Sequence, residues 1–422
     1  MEVKQLLILG NGFDLQCGLK SSYEDFFNSV IIDNIGKGFG LQQMKPSCTG
    51  FWETLLFHYY KRNGNSKYKW CDIETIIKNT LWILYYGDND KLINTKKSLW
   101  EEVKLCAESK QIPEQYAYSI VKNTEDQIKF LFSYCVKFIR NLEKIEDYTD
   151  DEKLQLLTMQ LFQELNNFEK RFCQFIKNQI VNPQDKNQLN LNYLVNAVNL
   201  LARLTNFYNY TFGNINQFVI SKVEYKDYGE PFIKKILSNE FYALRNTNII
   251  NFNYTALFDI LKVESPCVYG NVHGKLCNNR CTENCTSSNI IFGIDDTFIQ
   301  TQDANSDLRL FSKTYRKMLD TSAPINILPS KDNNEIEIKF YGHSLSEADY
   351  SYFQSIFDYY NLYSNDKVSL VFYYSKGYEQ YEAIYKLINV YGRTLANENQ
   401  GKNLMHKLLL ENRLKIEEIS LD

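Results

Sequence analysis

The stretch LLILGNGFDL, Leu6 to Leu15, decides how the chain is read. A short apolar run ends directly in Gly10-Asn11-Gly12, and a helical pattern follows. The run lacks polar alternation, so it reads as a strand buried on both faces of a parallel sheet. Glycines let a backbone come close to a phosphate, and the start of a helix offers unpaired N–H groups. The same loop is equally a tight strand-to-helix turn. The third glycine stands at Gly18, so the spacing is not Gly-x-Gly-x-x-Gly.

Working outward, similar runs recur late in the chain. They are Asn248 to Phe252, Cys267 to Val272, Asn289 to Gly293, Glu337 to Gly342 and Lys367 to Ser375. Most end in Gly or Asn before a helical pattern, which predicts a doubly wound α/β sheet of Rossmann type. The middle is different. Ile73, Ile76, Ile77, Leu81 and Leu84 repeat at helical spacing, as do Ile128, Leu131, Cys135 and Ile139. Asp150 to Ile180 and Asn190 to Leu204 continue the pattern. The expected organisation is an α/β domain over residues 1–50 and 243–422, with a helical insertion over 51–242. Gly377 to Asn412 reads as two amphipathic helices that serve as core or dimer surface, and a homo-oligomer is expected.

Composition removes several classes. The 422 residues carry a formal charge of −4, which gives no reason to expect nucleic acid. The apolar run at the start is too short for a secretory signal. No stretch approaches the ~18 residues of a membrane span. A cytoplasmic protein is expected. Lys313 to Lys317 is basic but short and reads as a solvated helix face. With four histidines in the chain, a cluster built from His alone is nearly excluded. Scattered cysteines such as Cys17 and Cys135 read as buried thiols. Cys277, Cys281 and Cys285 crowd together at Cys-x3-Cys-x3-Cys spacing. A structural zinc normally needs four ligands, so metal and reduced thiols both stay open there.

Doubly wound sheets bind ligands beyond the carboxyl ends of their strands, so the loops there are the candidate site. Asn251-Phe252-Asn253-Tyr254-Thr255 offers two amides able to orient a ribose hydroxyl or a water, or to cap a helix. His273, before Gly274, has the position a general base needs. Phe292-Gly293 and Gly342-His343-Ser344 complete the set. His58 and His406 fall in helical patterns and read as structural.

The order of these elements resembles the sirtuin-type NAD-binding domain. The wording GNGFDL, W-x-DIE at Trp70 to Glu74, NFNYT, VHG, FGID and FYGHSLSEAD is similar to the bacteriophage abortive-infection AbiH family. The resemblance implies a first loop, Gly10, Asn11, Gly12, Phe13 and Asp14, lying near NAD. It implies Asn253 holding the nicotinamide ribose or a water, with Asn251 beside it, and His273 as base. It implies Gly293, Gly342, His343 and Ser344 on the nucleotide, the last three toward its adenosine side. Asp14 stands where sirtuins have a small residue, and a carboxylate there suits a ribose hydroxyl or a helix cap better than a pyrophosphate. The implied activity is NAD⁺ hydrolysis to nicotinamide and ADP-ribose, depleting NAD during phage infection in response to a phage-derived or host trigger. The alternatives are a non-catalytic NAD or ADP-ribose sensor and a protein deacylase, the latter without a recognisable acyl-peptide cleft signature.

Overall fold

The computed structural model describes residues 3–26, 29, 50–55, 71–86, 99–100, 103–104, 124–142, 147–181, 189–205, 244, 246–262, 264–265, 267–276, 290–296, 299, 307–319, 326–331, 334–377, 380–395 and 398–419. They fall into two compact units. The first comprises Met1–Ser22, Cys173–Ile290 and Thr321–Asp422, the second Tyr23–Phe172 and Ile291–Asp320. Cys277, Cys281, Cys285, His58 and Trp70 lie outside the described residues. Among the described residues no helix is long and apolar enough to cross a membrane.

The first unit holds a six-stranded parallel sheet. Its strands are β1 (Val3–Leu9), β2 (Thr247–Asn251), β3 (Tyr269–Asn271), β4 (Glu335–Tyr341), β5 (Val368–Tyr374) and β6 (Leu414–Glu418). The spatial order is 3-2-1-4-5-6. The α/β Rossmann-like expectation therefore holds. From Gln5 onward β1 is fully buried, as the central strand of a sheet covered on both faces must be. Leu6, Ile8, Ile338, Phe340, Leu370 and Phe372 share a core with Phe353, Phe357 and Ile388. Those last three come from the helices Tyr350–Tyr360 and Tyr381–Thr394.

The helix Leu191–Leu204 is held at both ends. Asn190 caps its start by accepting from the Tyr193 N–H. At its end, Lys339 of β4 donates to the Leu204 carbonyl at 3.0 Å, and Gln5 of β1 donates to the Thr205 carbonyl at 3.2 Å. Lys339 is wholly buried, and burial lowers its pKa. A cation there meets the negative end of the helix, where its last carbonyls need donors.

In the second unit, a capping box opens the helix that begins at Asp150. The Thr149 N–H donates to Glu152, and the Glu152 N–H donates back to the Thr149 hydroxyl. Lys313 and Arg316 do not form a solvated face. Lys313 is buried in an ion pair with Glu74, the glutamate of the W-x-DIE motif. Arg316 donates to Glu169 at 2.6 Å, a pairing that counters the burial raising that carboxyl's pKa. Both acids are buried, and a buried carboxylate needs a cation.

One strand assignment needs correction, and one strand went unread. Ile290 to Gly293 is not a strand, because the Phe292 N–H donates to the Glu169 carboxylate and its carbonyl accepts from Arg316. Its backbone groups are taken by side chains, and only Ile294 bridges, to Ser312. β6 escapes an apolar scan because LKIEE is an edge strand with Leu414 its one buried residue.

The carboxyl end of the sheet is set by two glycine turns pressed together. The Gly10 N–H donates to the Tyr341 carbonyl at 2.9 Å, and the Gly12 N–H to the Gly342 carbonyl at 2.8 Å. A Cβ on Gly12 would stand 2.6 Å from the Gly342 Cα. One on Gly342 would stand 2.5 Å from the Phe13 nitrogen, at φ +69°. Gly18 has φ +88° but nothing within 4 Å of a built Cβ. Gly342→Ala should therefore cost on the order of 3 kcal/mol or more, and Gly18→Ala ~1 kcal/mol, by urea unfolding. Equal losses would mean that backbone conformation alone, and not the contact between turns, is being measured.

Candidate active site

The sheet register assembles the site. Leu9 pairs with Asn251 and with Tyr341, and Asn251 pairs with Asn271. Two residues beyond these rungs stand Asn11, Asn253, His273 and His343. Four separate motifs thus reach one level past the carboxyl ends of β1, β2, β3 and β4. Gly293 belongs to the second unit, where a Cβ in its place would collide with the Phe311 carbonyl. Ser344 is half-buried in the turn after β4.

The glycine loop spends its amides internally. The N–H groups of Gly10 and Gly12 go to the β4 turn, and that of Phe13 returns to the Gly10 carbonyl. Asn11 accepts from the Ser21 hydroxyl at 2.6 Å, while its buried Nδ2 has no hydrogen-bond partner among the described residues. Phe13 meets Tyr341 edge-on, 6.5 Å between centroids.

Asp14 is buried and accepts two hydroxyl donors. Tyr193 reaches Oδ1 at 2.9 Å, and Thr255 reaches Oδ2 at 2.6 Å. It thereby ties the β1 loop to the β2 loop and to the helix Leu191–Leu204. Burial pushes its pKa up to about 6 against the pull of both hydroxyls. The partners of Asp14 are thus hydroxyls of the protein itself, and Tyr193 had no signal in the sequence beyond its place in an amphipathic helix.

The two asparagines of NFNYT part company. Asn251 accepts from the Asn253 N–H at 3.1 Å and donates to the Thr255 carbonyl at 2.6 Å and to the Tyr269 hydroxyl. It shapes the loop. Asn271, which sequence reasoning missed, donates to the carbonyls of Asn253 at 2.7 Å and Thr255 at 3.2 Å. The signal was there: an Asn closing β3 as Asn251 closes β2. Asn253 is 3% exposed, yet neither its Nδ2 nor its Oδ1 has a hydrogen-bond partner among the described residues. Leaving both ends of a buried amide unmade costs several kcal/mol on the order of 1–3 per group, so such a group invites a ligand or water. It lines a small cavity with Leu9, Phe13, Tyr193, Asn251 and Thr255.

The third element is a buried His–Asp–His set. His273 Nε2 lies 2.9 Å from Asp349 Oδ1, and His343 Nε2 lies 3.3 Å from Asp349 Oδ2. His343 Nδ1 accepts the Leu345 N–H at 2.9 Å, so both of its ring nitrogens are engaged inside the fold. Leu345 sits at φ +55°, in the left-handed region, and that bond helps hold it there. Phe252 stands edge-on to both imidazoles, at 5.1 Å and 4.4 Å between centroids. Asp349 closes the GHSLSEAD segment but carried no assigned role in the sequence.

The family model for bacteriophage abortive infection AbiH matches residues 6–193 and 163–374, most of the chain. This chain belongs to the AbiH family. Every residue of the layer just described, with Asp14 and Asp349, falls inside the AbiH match. Membership gives AbiH's role, bacteriophage abortive infection, to this chain. Neither the curated proteins nor the solved structures contain a match to this AbiH chain.

The buried Asp14 yields a pH test. Its carboxyl keeps a proton to higher pH when folded than when unfolded. Its stabilising contribution is complete below about pH 4 and lost as pH rises through about 6. Relative to Asp14→Asn, the wild type should lose about 3 kcal/mol of unfolding free energy across that window. Urea midpoints of both proteins, taken at each end of the window, read the difference directly. A constant difference would show that the folded carboxyl titrates as it does in the unfolded chain.

Proposed function

We propose that this AbiH protein hydrolyses NAD⁺ at the bond between nicotinamide and ribose, and that in abortive infection this drains the dinucleotide. One observation carries the reading: the unpartnered amide of buried Asn253, in the same layer as His273. The amide offers one donor and one acceptor, which suits a ribose hydroxyl or an attacking water. The strand order 3-2-1-4-5-6 supports it, because such sheets take dinucleotides where the order reverses, here between β1 and β4. The sequence resemblance to sirtuin-type domains supports it as well.

The chemistry is within reach of these groups. In NAD⁺ the nicotinamide nitrogen is already cationic, so it departs neutral with the bond's electron pair and needs no acid. Water adds its oxygen at ribose C1′, and its proton passes to His273 and on to solvent. Asn253 orients the ribose or the water, and the aromatic walls keep bulk water out. Gly10, Gly12 and Gly342 contribute shape through their close packing, since the amides of the first two are engaged within the protein.

Purified protein incubated with NAD⁺ should release nicotinamide and ADP-ribose in equal amounts. Asn253→Ala and His273→Ala should each lower the rate by on the order of 10²–10⁴. The assay is repeated with extract from phage-infected cells, to supply a trigger. Full turnover by His273→Ala would sink the assignment of the base. Tight NAD⁺ binding without product under both conditions would favour the sensor instead.

A further inference from the structure

The glycine loop after β1 has little backbone left to offer a ligand. Loops of this kind hold phosphate with their own N–H groups, and their glycines let the anion come close. Here the protein itself takes up both. The Gly10 and Gly12 N–H groups donate to the carbonyls of Tyr341 and Gly342, and the Phe13 N–H returns to the Gly10 carbonyl. A Cβ on Gly10 would stand 2.4 Å from the His343 Cα, and one on Gly12 would stand 2.6 Å from the Gly342 Cα. The room that glycine leaves is filled by the turn after β4. The helix that follows, Gly12–Gln16, has five residues, so few aligned peptides that its dipole is small. No Lys or Arg stands between Gly10 and Leu19.

One side chain of the loop is different. Asn11 stands at the N-cap of Gly12–Gln16, yet its side chain makes no cap bond. Its Oδ1 accepts from the Ser21 hydroxyl at 2.6 Å. That length suits O–H···O and is short for N–H···O, so it decides which end of the amide faces Ser21. Nδ2, which only donates, faces elsewhere, and among the described residues it has no hydrogen-bond partner. On the neighbouring strand end the 3%-exposed Asn253 is open as well. Both asparagines stand two residues past the rung that pairs Leu9 with Asn251.

We infer that the phosphate-facing donor of this loop is the side-chain amide of Asn11, oriented by Ser21, and not the glycine backbone. A doubly wound sheet places the pyrophosphate of a dinucleotide at its first loop, where the strand order reverses. Phosphate oxygens accept, and Nδ2 donates. That the phosphate belongs to NAD⁺ rests on the hydrolase reading.

Asn11→Asp tests the inference, because an aspartate still accepts from Ser21 but sets a charged acceptor where the N–H groups were. A residue that serves only its bond to Ser21 would tolerate Asn11→Asp and suffer from Ser21→Ala. A residue that faces phosphate reverses that order. Calorimetric titration of the full chain with ADP-ribose gives the Kd, adenosine is the phosphate-free control, and urea midpoints show which variants are folded. Asn11→Ala should weaken ADP-ribose by on the order of 10- to 100-fold, and Asn11→Asp by more, as for a lost bond to a charged group. Ser21→Ala should cost a few-fold, and adenosine should bind all forms alike.

If Asn11→Asp does not fold, Asn11→Ala against Ser21→Ala decides, since both lose the bond to Ser21 and only the first loses the N–H groups. ADP-ribose binding by folded Asn11 variants that matches the wild type overturns the inference while leaving the hydrolase reading in place. Equal losses for ADP-ribose and adenosine overturn it too. If the wild type binds ADP-ribose through Asn11 but releases no nicotinamide from NAD⁺, the hydrolase reading falls and the inference stands. If the wild type neither binds ADP-ribose nor turns over NAD⁺, both fall. If it turns over NAD⁺ but holds ADP-ribose too weakly to titrate, KM for NAD⁺ decides in place of Kd.

Discussion

The hydrogen bond from the Gly12 N–H to the Gly342 carbonyl fixes the geometry of everything above the sheet. It brings the turn after β1 against the turn after β4 at the point where the strand order reverses. No side chain fits between them. Because the two backbones touch, Asp14 points down into the first unit and His343 falls beside Phe252. The residues of the candidate site then need only their strand register to arrive at one level. A motif that reads as a phosphate loop in sequence thus acts first as a spacer of zero thickness.

Two buried carboxylates finish the assembly by opposite means. Asp14 is met by two hydroxyls, which donate but carry no charge, and burial resists its ionisation against their pull. Asp349 is met by two imidazoles, which can carry charge. The first is a structural tie across three segments. The second links two strand-end loops that approach from opposite sides of β1. Between them Asn253 is left with its amide unmet. A buried amide left open while the neighbouring Asn251 and Asn271 amides are bonded is marked out for something from outside.

Much of this was legible beforehand. Apolar runs gave β1, β2, β4 and β5, because buried parallel strands carry an unbroken apolar signal. The long helices announced themselves by period. Ile290 to Phe292 looked the same as those strands, yet its amide went to Glu169, a tertiary partner invisible to any local pattern. Asn251 and Asn253 were indistinguishable in sequence; only the Thr255 carbonyl and the Tyr269 hydroxyl separate them. Asp349 was read as the tail of a motif. Its role depends on His273, which lies far away in sequence, and on forgoing a cap that local rules would assign to it.

The central strand comes first in the chain, and its neighbours come late. Lys339 bonds Gln5 across 334 positions, and Thr255 bonds Asp14 across 241. A ribosome adding ~5–20 residues per second needs on the order of tens of seconds to supply those partners. Until β4 is made, β1 has at most one edge paired, by β2, and an apolar strand with an open edge is prone to aggregate and in need of shelter. The same delay has a protective side. Asn253, His273 and Asp349 meet only after the GHSLSEAD segment has been synthesised, so an unfinished chain has no assembled centre. For a protein of abortive infection, the topology itself postpones the meeting of these groups until β4 and the segment after it have been made.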